Sequence, residues 1–483
     1  MVFDFKPIIL VAGILLTTLG CAMLLPAILD ILLGSPDWLT FTFSAGITLF
    51  CGITLVLATW GRAEALSVKQ AFVLTVVSWI ALVTFAALPF WLGELQLSFT
   101  DAFFESMSGL TTTGATVITG LDRTAPGQLL WRGLLQWIGG IGIIVMSIAV
   151  LPMLQVGGMQ LFRMESSDTS EKILPRATQI AGSLALLYAG LSAACAVAYF
   201  FAGMRMFDAV IHSMTTIATG GFSTHDLSIG HYDSLAIDMV ASVFMLMGSL
   251  PFALYLIALR GNALPLFRDT QVRFFLILVA TLILIAWIYQ IAIDANPTGL
   301  ALQYAIFNVI SMVTGTGYAT TDFGVWGGFS LVFFFCIMFL GGCAGSTSCG
   351  LKTFRIQVIL ENVRVSVNRM LYPNGVFPAR YNRARLEDNV IAAVMSFIFL
   401  FFVCFGVLAL VLSLIGLDHL TAMSAAASAI ANVGPGLGPI VGPAETYKLL
   451  PDSAKWVLSF GMLLGRLELL TVLVLFSPLF WRS

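Results

Sequence analysis

The sequence predicts an all-α polytopic membrane protein. Four parallel pseudo-repeats, each a span, a re-entrant helix with a loop, and a second span, surround one axis, preceded by an N-terminal helix pair. Three observations carry this. Hydrophobic residues make up 59% of the 483-residue chain and charged residues only 10%, with a mean hydropathy of +0.97, a balance that suits a lipid solvent. Apolar stretches of the roughly 20 residues that a bilayer core demands recur about ten times. Four glycines, Gly114, Gly221, Gly317 and Gly434, sit in runs of small hydroxyl and aliphatic residues that align position for position: SGLTTTGAT, TTIATGGFS, SMVTGTGYA and SAIANVGPG.

Six residues before each glycine stands a hydroxyl residue (Ser108, Thr215, Ser311, Ser428), and four before it an aliphatic one (Leu110, Ile217, Val313, Ile430). The period, about 100 to 120 residues, is too long for a solenoid and suits a duplicated membrane unit. The elements follow in order. Residues 1–66 form a two-helix unit, with spans at about 7–33 and 38–59 parted by Gly34-Ser35-Pro36; the first is read as a retained helix, since its n-region has one lysine and a second span follows at once. Repeat 1 (67–160) has spans at about 70–92 and 130–155 and a short helix from Asp101. Repeat 2 (161–262) has spans at about 177–203 and 235–259 and a short helix from Asp208. Repeat 3 (263–365) has spans at about 272–294 and 326–350 and a short segment from Gln303. A cytoplasmic loop (366–385) precedes repeat 4 (386–483), with spans at about 388–416 and 453–481 and a short segment from Asp418. The short helices cannot cross a bilayer. They read as re-entrant, and non-helical backbone at membrane depth is tolerated only where protein or a water-filled pathway surrounds it. Four such segments about one axis make a pore.

Lysine and arginine set the orientation. Lys6, Arg62, Lys69, Arg163, Lys172, Arg176, Arg260, Arg268, Arg273, Lys352, Arg355, Arg364, Arg369, Arg380, Arg383, Arg385 and Arg482 fall on one face. The face with the glycine runs holds only Arg123, Arg132, Arg205, Lys448 and Lys455. The first face is therefore assigned to the cytoplasm, with both termini inside. The polar connection from Lys352 to Glu387, with Pro373, Gly375 and Pro378, reads as a cytoplasmic loop able to meet a partner.

Stripping water from a potassium ion requires replacement oxygens at fixed positions, and backbone carbonyls supply them without a trapping charge. Glycine lets successive carbonyls turn to one axis. The candidate ligands are the carbonyls of Thr112, Thr113, Gly114, Thr219, Gly220, Gly221, Gly315, Thr316, Gly317, Asn432, Val433 and Gly434. One Thr-Gly pair is explained by helix packing; four in register between spans are not. An acid follows each run on the outward side (Asp122, Asp226, Asp322, Glu445), where carboxylates raise local cation concentration or simply solvate turns. Asp101, Asp208 and Asp418 stand at short-helix starts, as caps.

On these residues the chain resembles the bacterial Trk family of potassium-translocating membrane subunits, the TrkH/TrkG type, related to the KtrB subunits. The resemblance rests on FFESMSGLTTTGAT, GGFSTHD, GGCAGST, GPGLG and GRLE and extends along essentially the whole chain. It implies potassium uptake across a bacterial cytoplasmic membrane, a homodimer, and a cytosolic nucleotide-binding regulatory partner of the TrkA type. It also implies that the stretch holding Gly341, Gly342, Gly345, Ser346, Thr347 and Gly350 is an intramembrane gating loop under the filter. Ser348 and Cys349 depart from the family's more glycine-rich continuation. Arg466, in the middle of the last expected span, has Glu468 as an imperfect helical partner; it reads as facing the pathway and meeting the loop or the ion, a structural ion pair being the alternative.

Other classes fit less well. An ion-coupled transporter usually shows inverted repeats and midplane acids, whereas these repeats run in parallel and the acids lie at the mouths; proton or sodium coupling of potassium uptake, or a less selective K+/Na+ transporter of the same fold, stays open. The histidines His212, His225, His231 and His419 lack a metalloenzyme spacing, and no nucleophile–base set or phosphate loop points to an enzyme, a nucleotide site on this chain or a nucleic-acid partner. Seven cysteines, mostly within apolar runs, predict neither disulfides nor a metal cluster, and potassium at the filter is the one metal expected.

Overall fold

The computed structural model describes residues 3–61, 66–146, 177–293, 297–382 and 384–482. Among them, seven helices are long and apolar enough to span a membrane, and two further pairs are sharply bent. This is an all-α multi-pass membrane protein. The inner end of repeat 1's second span, together with Arg62, Arg163, Lys172, Arg176 and Arg383, lies outside the described residues.

The N-terminal pair, Lys6–Leu33 and Trp38–Thr59, turns at Gly34, whose φ of 72° is left-handed and whose N–H bonds the carbonyls of Asp30 and Ile31. Small residues let the two helices touch: a Cβ on Gly20 would stand 2.8 Å from Leu49 Cγ, and one on Gly52 would stand 2.6 Å from Thr17 Oγ1. Such close approach is how helices associate in lipid, where no hydrophobic drive remains between them. The pair is fastened to the repeats by two buried carboxylates. Asp30 accepts from Gly127 N at 2.8 Å, and Asp37 accepts from Gln128 Nε2 at 2.8 Å and Glu94 N at 3.0 Å. Asp30 caps the start of Pro126–Val145, satisfying an amide that a helix N-terminus leaves orphaned, while Asp37 holds the Gln128 side chain of the same turn.

Repeat 1 places Val68–Ala86, the short helix Phe99–Leu110 and the span Pro126–Val145 in sequence. Ser67 begins the first with a reciprocal capping box to Gln70. Repeat 2 follows with Ala177–Phe201 and Met206–Ile217, repeat 3 with Thr270–Ala292 and Thr298–Thr314, and repeat 4 with Asp388–Leu414 and His419–Ala431.

The second spans depart from the sequence reading. In repeat 2 the expected continuous span is two helices, Leu235–Gly248 and Phe252–Leu259, at 95°; Pro251 cannot donate to the helix, and the carbonyls freed at Gly248 and Ser249 take hydrogen bonds from elsewhere. In repeat 4 the last span stops at Arg466 and resumes at Leu470 after a 108° bend, so Arg466 ends a helix rather than occupying its middle. In repeat 3, Gly328–Ile337 gives way to non-helical backbone.

The polar connection after repeat 3 is also corrected. Thr353–Leu371 is a helix, and a short antiparallel ribbon pairs Arg380 with Arg385 and Tyr381 with Ala384. Lys352 and Arg355 are buried rather than part of an exposed loop. Arg355 bonds the Glu468 carboxylate, and its guanidinium lies 3.6 Å from the centre of the Phe397 ring.

Replacing Asp30 by alanine strips the cap from Gly127 and should lower stability by about 1–2 kcal/mol, whereas Asp30→Asn keeps an acceptor and most of the stability. Thermal unfolding of the detergent-solubilised protein reads this; equal midpoints for wild type and Asp30→Ala would show that the cap contributes nothing.

Candidate ion-conduction site

The four short helices end in one way. Backward bonds run from Thr112 N to Gly109 O and from Thr113 N to Ser108 O. The same pair recurs as Thr219 N to Thr216 O with Gly220 N to Thr215 O, as Gly315 N to Met312 O with Thr316 N to Ser311 O, and as Asn432 N to Ala429 O with Val433 N to Ser428 O. This is the Schellman termination, which demands a left-handed residue just past the helix. Thr112, Thr219, Gly315 and Asn432 have φ of 52°, 49°, 72° and 53°. Two residues on, Gly114, Gly221, Gly317 and Gly434 are left-handed again, at 88°, 81°, 79° and 106°. The hydroxyl residues six before each glycine therefore mark the carbonyls that anchor the turn.

The glycines close a ring. A Cβ on Gly114 would strike Gly220 O, one on Gly221 would strike Thr316 O, one on Gly317 would strike Val433 O, and one on Gly434 would come 2.7 Å from Thr113 O. Each repeat thus leans on the next, and the fourth on the first. The carbonyls of Thr113, Thr316 and Val433 meet no donor among the described residues. Gly220 O accepts from Gln136 Nε2 at 2.6 Å, and Gly434 O accepts from Ser428 Oγ at 2.7 Å and Tyr447 OH at 2.8 Å. The expectation that all these carbonyls are open to an ion is corrected for Gly434, whose two acceptor positions are taken by protein. All four glycines line one vestibule, together with Arg132, His225, Asp226 and Glu445.

Buried polar groups brace the ring from outside. Glu105 accepts from Val117 N at 2.9 Å and pairs with Arg132 Nε at 2.9 Å. Arg132 in turn donates to Ser223 O at 2.7 Å and lies 4.1 Å from the Phe222 ring centre. The sequence reading missed Glu105 as a brace and placed Arg132 on the outer surface. The available signal was a carboxylate within FFESMSG, because an ionisable group in an apolar segment demands a partner.

Gly341–Gly350 lies directly under the ring. Its ends are pinned by Gly341 N to Leu351 O and Leu351 N to Phe339 O, at 3.1 and 2.9 Å. The broken span of repeat 2 receives it: Cys343 N bonds Ser249 O at 2.9 Å, and Thr347 N bonds Gly248 O at 3.2 Å. Thr347 Oγ1 donates to Ile217 O at 2.9 Å, and Ser348 Oγ donates to Thr314 O at 2.6 Å, so the loop touches the ends of two short helices. Arg466 joins this loop to repeat 1, with Nη1 on Thr347 O at 3.3 Å and on Cys349 Sγ, and Nη2 on Gly139 O at 3.0 Å. Lys352, a second buried cation there, donates to Ser348 O. Glu468 faces Arg355, not Arg466.

The acids divide. Asp322 caps a turn through Gly324 N at 2.8 Å, and Asp226 binds Gly120 N and Leu121 N at 3.0 and 3.1 Å. Asp122 pairs with His225. That hydrogen bond holds the Asp122 carboxyl below its usual range. Burial alone would depress His225, but its carboxylate neighbours Asp208 and Asp122 outweigh it and raise the imidazole. Asp418 caps its helix through Thr421 N, as expected; Asp101 instead binds Lys455 at 2.6 Å, under a cap supplied by Ser98, and Asp208 accepts from Thr224 Oγ1 at 2.7 Å.

Known proteins match this architecture end to end. The TrkH family model, described as a cation transport protein, matches residues 41–482. The chain is 46% identical to the Trk system potassium uptake protein TrkI of Halomonas elongata, over 99% of this chain and 97% of that protein. It is 37% identical to the Trk system potassium uptake protein TrkH of Escherichia coli K12, over 99% and 100%. The crystal structure of the potassium transporter TrkH from Vibrio parahaemolyticus superposes with a TM-score of 0.92 at 36% identity, covering 99% of this chain and 100% of that one. The chain belongs to the TrkH family of cation transport proteins.

Proposed function

We propose that this chain is a potassium uptake protein whose four glycine segments form one selectivity filter and whose Gly341–Gly350 loop closes the pathway beneath it. The observation that carries the reading is the closed ring in which each filter glycine abuts a carbonyl of the next repeat. Such a ring holds oxygens at fixed separation, which is what replacing a hydration shell requires. The short helices direct their C-terminal ends, and hence the negative ends of their dipoles, at this ring. The names of the relatives supply the ion.

The gate is electrostatic as well as steric. Arg466 meets a sulfur and two carbonyls rather than a carboxylate, so its charge is not cancelled. At an effective dielectric of about 20, two unit charges 4 Å apart repel by roughly 4 kcal/mol. The protein resides in a bacterial cytoplasmic membrane with its termini inside, as a homodimer. A TrkA-type nucleotide-binding subunit engages basic residues such as Arg364, Arg369, Arg380 and Arg385, which follow the loop and couple it to the cytosol.

Gly221→Ala forces a methyl onto Thr316 O at a left-handed φ and should reduce potassium-over-sodium discrimination about tenfold or more, the scale set by about 1–3 kcal/mol of backbone strain. Gly46, with nothing within 4 Å of an added Cβ, is the control. Reversal potentials in planar bilayers under opposed potassium and sodium gradients test this, and unaltered discrimination would remove Gly221 from the filter.

Arg466→Ala should raise basal potassium flux several-fold at unchanged selectivity. Arg466→Lys, which cannot hold the loop and Gly139 O at once, should fall between alanine and wild type. Flux is read per folded protein in proteoliposomes; a destabilised alanine variant with wild-type unit flux would make Arg466 a structural tether only.

A further inference from the structure

We propose that Asp122, His225 and His231 form a binding site for a divalent transition-metal ion of the zinc class at the outer vestibule, and that its occupancy slows cation entry. One ligand atom from each side chain lies within 4.8 Å of the others. The residues come from two repeats. Asp122 sits on the turn Leu121–Arg123 beyond the first filter segment, His225 follows the second, and His231 lies on the turn Ser228–Tyr232.

The backbone under the site is fixed. The Asp226 carboxylate clamps Gly120 N and Leu121 N, joining the Asp122 turn to the His225 loop. Gly230 N bonds Ala319 O at 3.1 Å, setting the His231 turn against repeat 3. Tyr232 packs edge-on to both imidazoles, at 5.4 and 5.2 Å.

Two imidazole nitrogens and one carboxylate oxygen suit Zn2+, with metal–ligand distances of about 2.0–2.2 Å, and leave a position for water. Potassium, magnesium and calcium prefer oxygen alone, so the donor set separates this site from the permeant ion. The imidazoles are stacked 3.6 Å apart and parallel, so their in-plane lone pairs cannot yet converge. Asp122 and His231 are exposed, and a tilt of the His231 ring brings its nitrogen round without moving backbone. The ion then displaces the proton shared by His225 and Asp122. Because His225 lines the vestibule with the filter glycines, an added positive charge there repels entering cations, an effect that physiological salt screens beyond about 8 Å. This second half rests on the potassium-uptake reading; the binding half does not.

The test measures Zn2+ binding to the purified full-length protein by competition with a chromophoric chelator, and potassium uptake into proteoliposomes with ZnCl2 or MgCl2 outside. Wild type should bind one Zn2+ per chain, and uptake should fall with zinc but not magnesium. His231→Gln and Asp122→Asn should each weaken binding about tenfold or more, and His231→Gln should make uptake zinc-resistant. Wild-type zinc affinity in both variants, each eluting as folded protein, would overturn the site. Binding lost in the variants while wild-type uptake ignores zinc would overturn its effect on entry and leave the potassium reading untouched.

Discussion

The architecture depends on how four short helices stop. A Schellman ending consumes the last carbonyls of each helix and throws the next residue into the left-handed region. The chain leaves each helix already turning, and a second left-handed residue two positions on alternates the backbone's hand. Only glycine fits that second position in every repeat, because the space a side chain needs is filled by a carbonyl of the neighbouring repeat. Local helix chemistry and long-range ring closure therefore select one residue type at one place, and this agreement between levels makes the segment a strong determinant of the fold.

The loop beneath the ring depends on a second break. A stretch with glycines at 341, 342, 345 and 350 cannot satisfy its own backbone, so it borrows from the opened turn of repeat 2, where Gly248 and Ser249 present carbonyls that their own helix no longer uses. Two irregular segments, each unsustainable alone in an apolar setting, complete one another. Thr347 and Ser348 then tie the loop to the ends of two short helices, so displacing it costs several hydrogen bonds at once. On the proposed pathway this couples the closed loop to the geometry of the ring above.

The sequence made the repeat plan legible because burial and backbone conformation are local demands: span length, small residues and paired glycines are written in order along the chain. The bounds of the short helices and of the N-terminal pair were read within a few residues. Long-range polar pairing was not legible. Asp30 with Gly127, Glu105 with Arg132, and Arg355 with Glu468 join residues far apart in the chain, and no spacing rule anticipates them. Lys352 and Arg355 read as loop residues because charge was the only signal available, whereas the structure buries both, Lys352 against the Gly341–Gly350 loop and Arg355 against Glu468. The linear spacing of His225 and His231 gave no hint of Asp122, which arrives beside them from a different repeat.

The buried arginines show why pairing, not depth, decides what a charge does. Arg132 and Arg355 each meet a carboxylate; removing either would strand a buried anion, a loss of stability first and of function second. Arg466 is buried as deeply, yet among the described residues its partners are two carbonyls and a thiol. Carbonyl dipoles hold a cation in place without cancelling it. A charge left uncancelled acts on whatever approaches, and the bent helix end that carries Arg466 sets it against the loop below the ring. Lys352 donates to the same loop, so on the proposed pathway two buried cations stand beneath the ring. Carboxylate-paired arginines build the scaffold, and on the proposed pathway the one without a carboxylate is placed to oppose the ion.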